Sequence, residues 1–146
     1  MADKELIYYL ESIKRARTIH TSTLDQAVLY QYLHDGYFEK YLKKARSVYK
    51  KKYELALHYC KQYIPLRRIT GDGGLHLFLE LERSIDTEEL LELCNQKGVA
   101  FSPGNDFFTN ESGKHTFRLG FSRLKEEEIK RGIQIIGETI KENYGG

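Results

Sequence analysis

The sequence predicts an α+β fold in which helices come first and a small sheet follows. Up to residue 63, apolar side chains recur at intervals of three and four, which is the spacing of amphipathic helices. After the glycine-rich turn at residues 71–74 the apolar period changes to two, which is typical of a strand with one buried face. Two further short apolar segments and a last helix follow. We therefore expect a mixed or antiparallel sheet of about three strands, covered by helices.

Three helices are predicted before the turn. The first covers about residues 4–17, and the second begins near Ser22 or Thr23 and ends before Gly36, so that the two form a hairpin. Hydroxyl groups at the start of the second helix are suitable caps for its free amides. The third helix covers about residues 38–63 and ends there, because Pro65 disfavours helical backbone at the residue before it.

Three strands and two helices are predicted after the turn. The first strand alternates leucines with His76, Phe78 and Glu80, so that the leucines share one face; they are Leu75, Leu77, Leu79 and Leu81. A helix over 87–97 ends at Gly98, and short strands over 99–102 and 116–122 follow. The last helix, over about 125–143, has an apolar stripe made of Ile129, Ile133, Ile136 and Ile140.

Composition excludes several classes of protein. The 146 residues, 40% of them apolar, are enough for one compact domain. No apolar segment is long enough to cross a membrane, and charged residues interrupt any signal-like start, so we expect a cytoplasmic protein without membrane contact. Cys60 and Cys94 match no metal or redox spacing. We expect two free, buried thiols and no metal site.

The charge pattern does not indicate nucleic-acid binding. The formal net charge is only +2, although residues 40–52 are rich in lysine and residues 86–92 are acidic. The basic segment lacks a recognisable DNA-reading motif. We interpret it as the solvated face of the third helix.

Arg118 is the residue that most needs explanation. It lies within the apolar segment 116–122, where a buried cation is costly unless an anion meets it. A planar guanidinium suits a carboxylate, because it donates two parallel hydrogen bonds. The alternative is a strand arginine whose charged end reaches solvent or a neighbouring glutamate.

Several motifs follow one another in a specific order. They are Gly73-Gly-Leu-His-Leu-Phe-Leu-Glu-Leu81, a helix, Gly98-Val-Ala-Phe-Ser-Pro-Gly104 and the strand that contains Arg118. This order resembles the C-terminal small domain of fold-type I, pyridoxal-phosphate-dependent aminotransferases, and the resemblance covers essentially the whole chain. Residues 19–28, a helix and Gly36-Tyr-Phe-Glu-Lys40 look closest to MocR-type regulators. Such regulators join a GntR-like winged helix-turn-helix to an aminotransferase-like domain.

The resemblance implies that the chain is the C-terminal part of a longer protein. Residues 1–36 would belong to the end of its large domain, and residues 37–146 would form its small domain. In this family a lysine forms the Schiff base with the cofactor, and no position of this chain matches it. We therefore expect no cofactor in these residues alone and pyridoxal phosphate in the longer protein. No cofactor-binding or catalytic residue is assigned.

The resemblance also implies roles for two side chains. Arg118 matches the arginine that holds the α-carboxylate of the amino acid. His76 occupies a position that is commonly an aromatic near the substrate, which makes it a candidate contact; a surface histidine is the other interpretation. Residues 20–23 resemble a segment near the subunit interface, but helix capping explains their hydroxyls. The glycines at 71–74 indicate a turn more than a phosphate cradle, since they lead into a strand.

Two functions fit these motifs. One is the effector part of a GntR/MocR-type regulator that senses an amino-acid-like ligand and contacts DNA only through a domain outside this chain. The other is part of a class I/II aminotransferase acting on an amino acid and a 2-oxo acid. Both need Arg118, so the sequence does not decide whether the protein is an enzyme. In a complete aminotransferase fold the first two helices would rest against the large domain. Without it, six apolar side chains lack their usual cover, and we expect self-association or an altered packing of these helices; the residues are Leu6, Leu10, Leu24, Val28, Leu29 and Leu33.

Overall fold

The structure, a computed structural model, describes residues 3–18, 21–71, 73–82, 85–109 and 111–145. These residues contain five α-helices, four β-strands and two short 3-10 turns. The helices are α1 (Lys4–Arg17), α2 (Thr23–His34), α3 (Tyr37–Tyr63), α4 (Thr87–Gln96) and α5 (Glu126–Tyr144). The strands are β1 (Leu66–Thr70), β2 (His76–Leu81), β3 (Ser102–Pro103) and β4 (Thr116–Gly120).

The chain divides into two compact units, Met1–Lys44 and Ala45–Gly146, with the boundary inside α3. In the first unit, α1 and α2 contain no buried residue. The Ser22 hydroxyl accepts a hydrogen bond of 3.3 Å from the amide of Asp25, so the expected cap of the second helix is confirmed. His20 lies outside the described residues. The assignment of residues 1–36 and 37–146 to two domains stays a prediction.

The second unit is built on an antiparallel sheet with strand order β1-β2-β4-β3. Leu79 of β2 pairs with Ile69 on one side and with Phe117 on the other. Side chains at paired positions point to the same face, and successive side chains alternate between faces. The sheet therefore has one apolar face and one face that carries polar side chains.

The apolar face packs against α3, α4 and α5. Its strand residues are completely or almost completely buried: Leu77, Leu79, Leu81, Phe117 and Leu119. The helices contribute their apolar sides to the same core, and these residues are Ala56, Cys60, Leu90, Cys94, Ile129, Ile133, Ile136 and Ile140. The predicted α+β fold and the apolar stripe of the last helix are confirmed.

The sheet has four strands, one more than the three expected. β1 was not predicted, because Arg67 and Arg68 interrupt its apolar alternation and the pairing with β2 shifts register between Leu66 and Arg68. Leu75, which was expected on the buried face, is 39% exposed and precedes the first residue of β2.

The two cysteines are free and buried, as expected. Burial raises the pKa of Cys60 to about 12, so its thiol is protonated at neutral pH. Within the described part of the chain, no group of three or more histidine, cysteine or acidic side chains is placed to hold a metal ion. None of the described helices is long and apolar enough to cross a membrane.

α5 approaches the end of α3 closely at Gly137. A Cβ atom at this buried position would overlap the carbonyl oxygen of Tyr63. Gly132, five residues earlier in α5, has no such neighbour within 4 Å. A comparison of the Gly→Ala substitution at the two positions therefore separates the effect of close packing on stability from the effect of helix propensity.

We expect Gly137→Ala to lower the free energy of unfolding by about 1–3 kcal/mol, because the added methyl group forces α3 and α5 apart. Gly132→Ala is the matched control and should raise it by up to about 1 kcal/mol, because alanine favours a helix over glycine. Chemical denaturation followed by circular dichroism measures both. Equal stability of the two variants would show that the helices do not meet at Gly137.

Candidate functional site

The face of the sheet that points away from the helices carries the candidate site. His76, Phe78 and Glu80 of β2 alternate with buried leucines, and Arg118 of β4 alternates with buried Phe117 and Leu119. Arg118 pairs with Phe78 on one side and with Ser102 of β3 on the other. Because β2 and β4 are adjacent, they bring both predicted site residues, His76 and Arg118, onto one face.

The guanidinium of Arg118 is half-buried and has neutral neighbours. Its Nη2 donates a hydrogen bond of 3.3 Å to the Ser102 hydroxyl, and its Cζ lies 4.6 Å from the centre of the Phe107 ring. It forms no salt bridge with any described side chain. The glutamate on the same face, Glu80, instead pairs with Arg67 at 3.6 Å.

This arrangement favours anion binding over the alternative of an internally paired arginine. A partly desolvated cation without an anion is unfavourable, and one hydroxyl acceptor uses only one of five N–H groups. The remaining donors form a planar fork that matches a carboxylate. The site can therefore hold one carboxylate group on the open face of the sheet.

Phe107 reaches the guanidinium because the chain turns sharply after β3. A 3-10 turn (Gly104–Phe107) follows the strand, and Gly104 lies so close to Gly113 and Thr116 that any Cβ would overlap them. The Thr116 hydroxyl donates to the carbonyl of Gly113 at 2.8 Å, which fixes the segment against which Gly104 packs. The turn thus brings its last residue, Phe107, into direct contact with Arg118.

Three phenylalanines form an aromatic cluster beside Arg118: Phe78, Phe107 and Phe108. The Phe78 ring contacts Phe107 edge to face at 5.9 Å and Phe108 at 6.1 Å between ring centres. Neither this cluster nor Ser102 was predicted. Phe78 could have been, since it is in phase with His76 on β2, but the position of Phe107 depends on the turn after β3.

His76 is exposed and is the first residue of β2, where it pairs with Gly120 of β4. A Cβ at Gly120 would lie 3.3 Å from the Cδ2 atom of His76, so the imidazole is close to the backbone of β4. Gly120 is two residues beyond Arg118, which corresponds to about 7 Å along a strand. The predicted orientation of His76 away from the buried leucines is confirmed, and its contact with a ligand stays a prediction.

A groove of about 600 Å³ adjoins the aromatic cluster and shares Phe78 and Phe108 with it. The charged groups in its lining are Arg67, Arg68 and Glu80, and His115 also lines it. The Nδ1 atom of His115 lies 2.8 Å from the carbonyl oxygen of Ile85 and so acts as a donor. The groove lies on the β1 side of Phe78, whereas the guanidinium of Arg118 lies towards β3, so the two are separate features of one face.

The glycine-rich segment before β2 is a turn. Gly71 and Gly74 have φ angles of 115° and 90°, which other residues rarely adopt, and the segment leads into a strand. The predicted turn is thereby confirmed; Asp72 lies outside the described residues. The segment does not open a helix, so no helix dipole favours a phosphate there.

Comparison with known proteins identifies relatives along nearly the whole chain. Residues 1–136 match the family described as aminotransferase class I and II. An uncharacterised aminotransferase of Saccharolobus solfataricus is 36% identical over 143 residues, which is 97% of this chain and 36% of that protein. The aromatic-amino-acid aminotransferase 1 of Thermococcus litoralis is 34% identical over 97% of this chain and 34% of its own length.

A solved structure shows the same fold. The kynurenine aminotransferase of Pyrococcus horikoshii superimposes with a TM-score of 0.84 at 32% identity, over 99% of this chain and 36% of that one. A protein named probable rhizopine catabolism regulatory protein MocR, of Rhizobium meliloti, is more distant, with 25% identity over 80% of this chain and 24% of its own length. The expected closeness to MocR regulators is therefore not supported. The chain spans about a third of the length of the curated aminotransferases that it matches.

Proposed function

Because the chain belongs to the aminotransferase class I and II family, we propose that it is the part of a pyridoxal-phosphate-dependent aminotransferase that holds the substrate carboxylate. The half-buried guanidinium of Arg118, which has no anionic partner among the described side chains, carries this proposal. The substrates would be an amino acid and a 2-oxo acid. The chain would act in the cytoplasm as part of a longer protein. We call this protein, which contains this chain and the remainder of the aminotransferase fold, the full-length protein.

The residues of this chain do not fit the cofactor by themselves. Pyridoxal phosphate needs an amine for its aldehyde and donors for its phosphate. The described neighbours of Arg118 are a hydroxyl and aromatic rings, and no lysine lines the adjoining groove. The amine and the phosphate-binding groups would therefore come from outside this chain, and we derive no step that uses the cofactor.

Arg118 would bind and orient the substrate. Nη2 donates one of its hydrogens to the Ser102 hydroxyl at 3.3 Å. Its other hydrogen and one on a neighbouring nitrogen would donate parallel hydrogen bonds to the two carboxylate oxygens. A carboxylate held at two points fixes the direction of the bond to the neighbouring Cα, and so the position of that atom. The aromatic cluster would keep water from one side of this ion pair and so strengthen it.

His76 would form the edge of the same site. Its imidazole lies over Gly120, about one strand repeat from Arg118, and it is exposed. A substrate whose carboxylate rests on Arg118 would then present its side chain towards the His76 end of β2 and β4. This position supports a contact between His76 and the substrate. We assign His76 no role in proton transfer.

The second candidate function is the effector part of a MocR-type transcriptional regulator. Matches to regulators of this type, at 24–26% identity, favour it. Arg118 would then hold the carboxylate of an amino-acid-like effector, and DNA contact would come from a domain outside this chain. Transamination by the full-length protein, measured with amino acid and 2-oxo acid pairs, separates the two functions; ligand-dependent DNA binding without turnover would favour the regulator.

In the full-length protein, Arg118→Leu should reduce kcat/KM for the amino acid by tens- to several-hundred-fold. The variant loses a charge-assisted, bidentate contact that is worth about 2–4 kcal/mol. Cofactor affinity, followed by absorbance, should stay nearly unchanged, because Arg118 does not contact the cofactor in this proposal. Arg68→Leu is a matched control, since Arg68 is an exposed arginine at the groove on the same face of the sheet. A folded Arg118→Leu variant with unchanged kcat/KM would refute the carboxylate role.

We also propose that the isolated chain self-associates through α1 and α2. Between 45% and 71% of the surface of each of six apolar side chains is exposed, and exposed apolar patches favour association; the residues are Leu6, Leu10, Leu24, Val28, Leu29 and Leu33. Light scattering should give a mass above that of a monomer. Leu10→Glu combined with Leu29→Glu should lower it, whereas Gln26→Glu, which adds charge at an exposed polar position, should not. A native chain that remains monomeric at high concentration would contradict the proposal.

A further inference from the structure

Phe107 offers its ring face to the charged end of Arg118. The guanidinium carbon lies 4.6 Å from the ring centre, well within the distance at which a cation is attracted to an aromatic face. Phe107 is itself 44% exposed, so it is not simply a core residue. Its ring is held from another side by edge-to-face contact with Phe78, whose centre is 5.9 Å away.

The hydrogen bond to Ser102 alone is a weak restraint on Arg118. Its length is 3.3 Å, beyond the usual optimum, and it joins a flexible side chain to a rotatable hydroxyl. An arginine head held at a single point can rotate about its long stem. The ring supplies a second restraint, because a planar guanidinium favours stacking on an aromatic face.

We propose that Phe107 is a positioning residue for Arg118. Its ring supports one face of the guanidinium and, together with Ser102, orients the free N–H groups for a carboxylate. The inference rests on the proposed carboxylate-binding function of Arg118, and adds the residue that prepares the arginine before the ligand arrives. Preorganisation of this kind improves affinity, because less side-chain freedom is lost on binding.

The position of Phe107 is determined by contacts outside the site. Gly104, at the start of its turn, packs against Gly113 and Thr116 without room for a side chain. Asn105 in the same turn donates a 2.9 Å hydrogen bond to the carboxylate of Glu88 in α4. The turn is thus attached both to the sheet and to a helix, so the ring is presented from a well-supported backbone.

Phe108 provides a closely matched control. It is the next residue, it is 42% exposed, and its ring also contacts Phe78, at 6.1 Å. Among the described rings, Phe107 and not Phe108 lies over the Arg118 guanidinium. Phe107→Leu and Phe108→Leu therefore remove the same type of ring from the same cluster, and they differ in the contact with Arg118.

Nuclear magnetic resonance of this chain tests the inference without a ligand. The Hε and δ-methylene protons of Arg118, assigned with an Arg118→Lys variant, should show an upfield ring-current shift in the native chain. Phe107→Leu should abolish this shift, Phe107→Tyr should preserve it, and Phe108→Leu should leave it almost unchanged. An Arg118 without the shift, or a shift that survives Phe107→Leu, would overturn the role of Phe107.

Titration with acetate then separates this inference from the proposed function. At low salt, acetate should perturb the Hε resonance of Arg118 more strongly than those of other arginines. Phe107→Leu should weaken this binding about two- to fivefold, and Phe108→Leu should not. A ring-current shift without preferential acetate binding would contradict the carboxylate site while leaving the contact intact. Preferential acetate binding that Phe107→Leu does not weaken would support the site and refute the positioning role.

Discussion

The antiparallel pairing of β2 with β4 is the constraint on which the rest of the second unit depends. It aligns Leu77 with Leu119 and Leu79 with Phe117, and the helices pack on these side chains. The same register places Phe78 beside Arg118 on the opposite face. A shift of β4 by one residue would bury the guanidinium in the core and expose Phe117 and Leu119, so core packing specifies where the charged group lies.

A comparison of two arginines of the open face, Arg67 and Arg118, shows why Arg118 is the candidate site. Arg67 has a carboxylate nearby, that of Glu80, and so needs no ligand to balance its charge. The neighbours of Arg118 are instead a hydroxyl and an aromatic ring, which orient a guanidinium without neutralising it. The positive charge of this guanidinium is therefore poorly compensated until an anion binds, which favours binding of a carboxylate.

Much of this arrangement could be predicted from the sequence, because it depends on local periodicity. Alternation was enough to place His76 and Arg118 on the face opposite the buried leucines. β1 could not be predicted, since adjacent arginines and a register shift break its pattern. Nor could Phe107 be assigned to Arg118. Their contact depends on the close approach of Gly104 to Gly113, which is a tertiary contact that the periodicity of the sequence does not indicate. The enzyme and the regulator that we propose would both use Arg118 to hold a carboxylate.

The most direct test of the central claim is a crystal structure of the full-length protein with a bound amino acid. The account predicts both carboxylate oxygens at about 2.7–2.9 Å from two nitrogens of Arg118, with the Phe107 ring on one face of the guanidinium. A carboxylate bound by other residues, with Arg118 turned to solvent or paired with an acidic side chain of the protein, would contradict it.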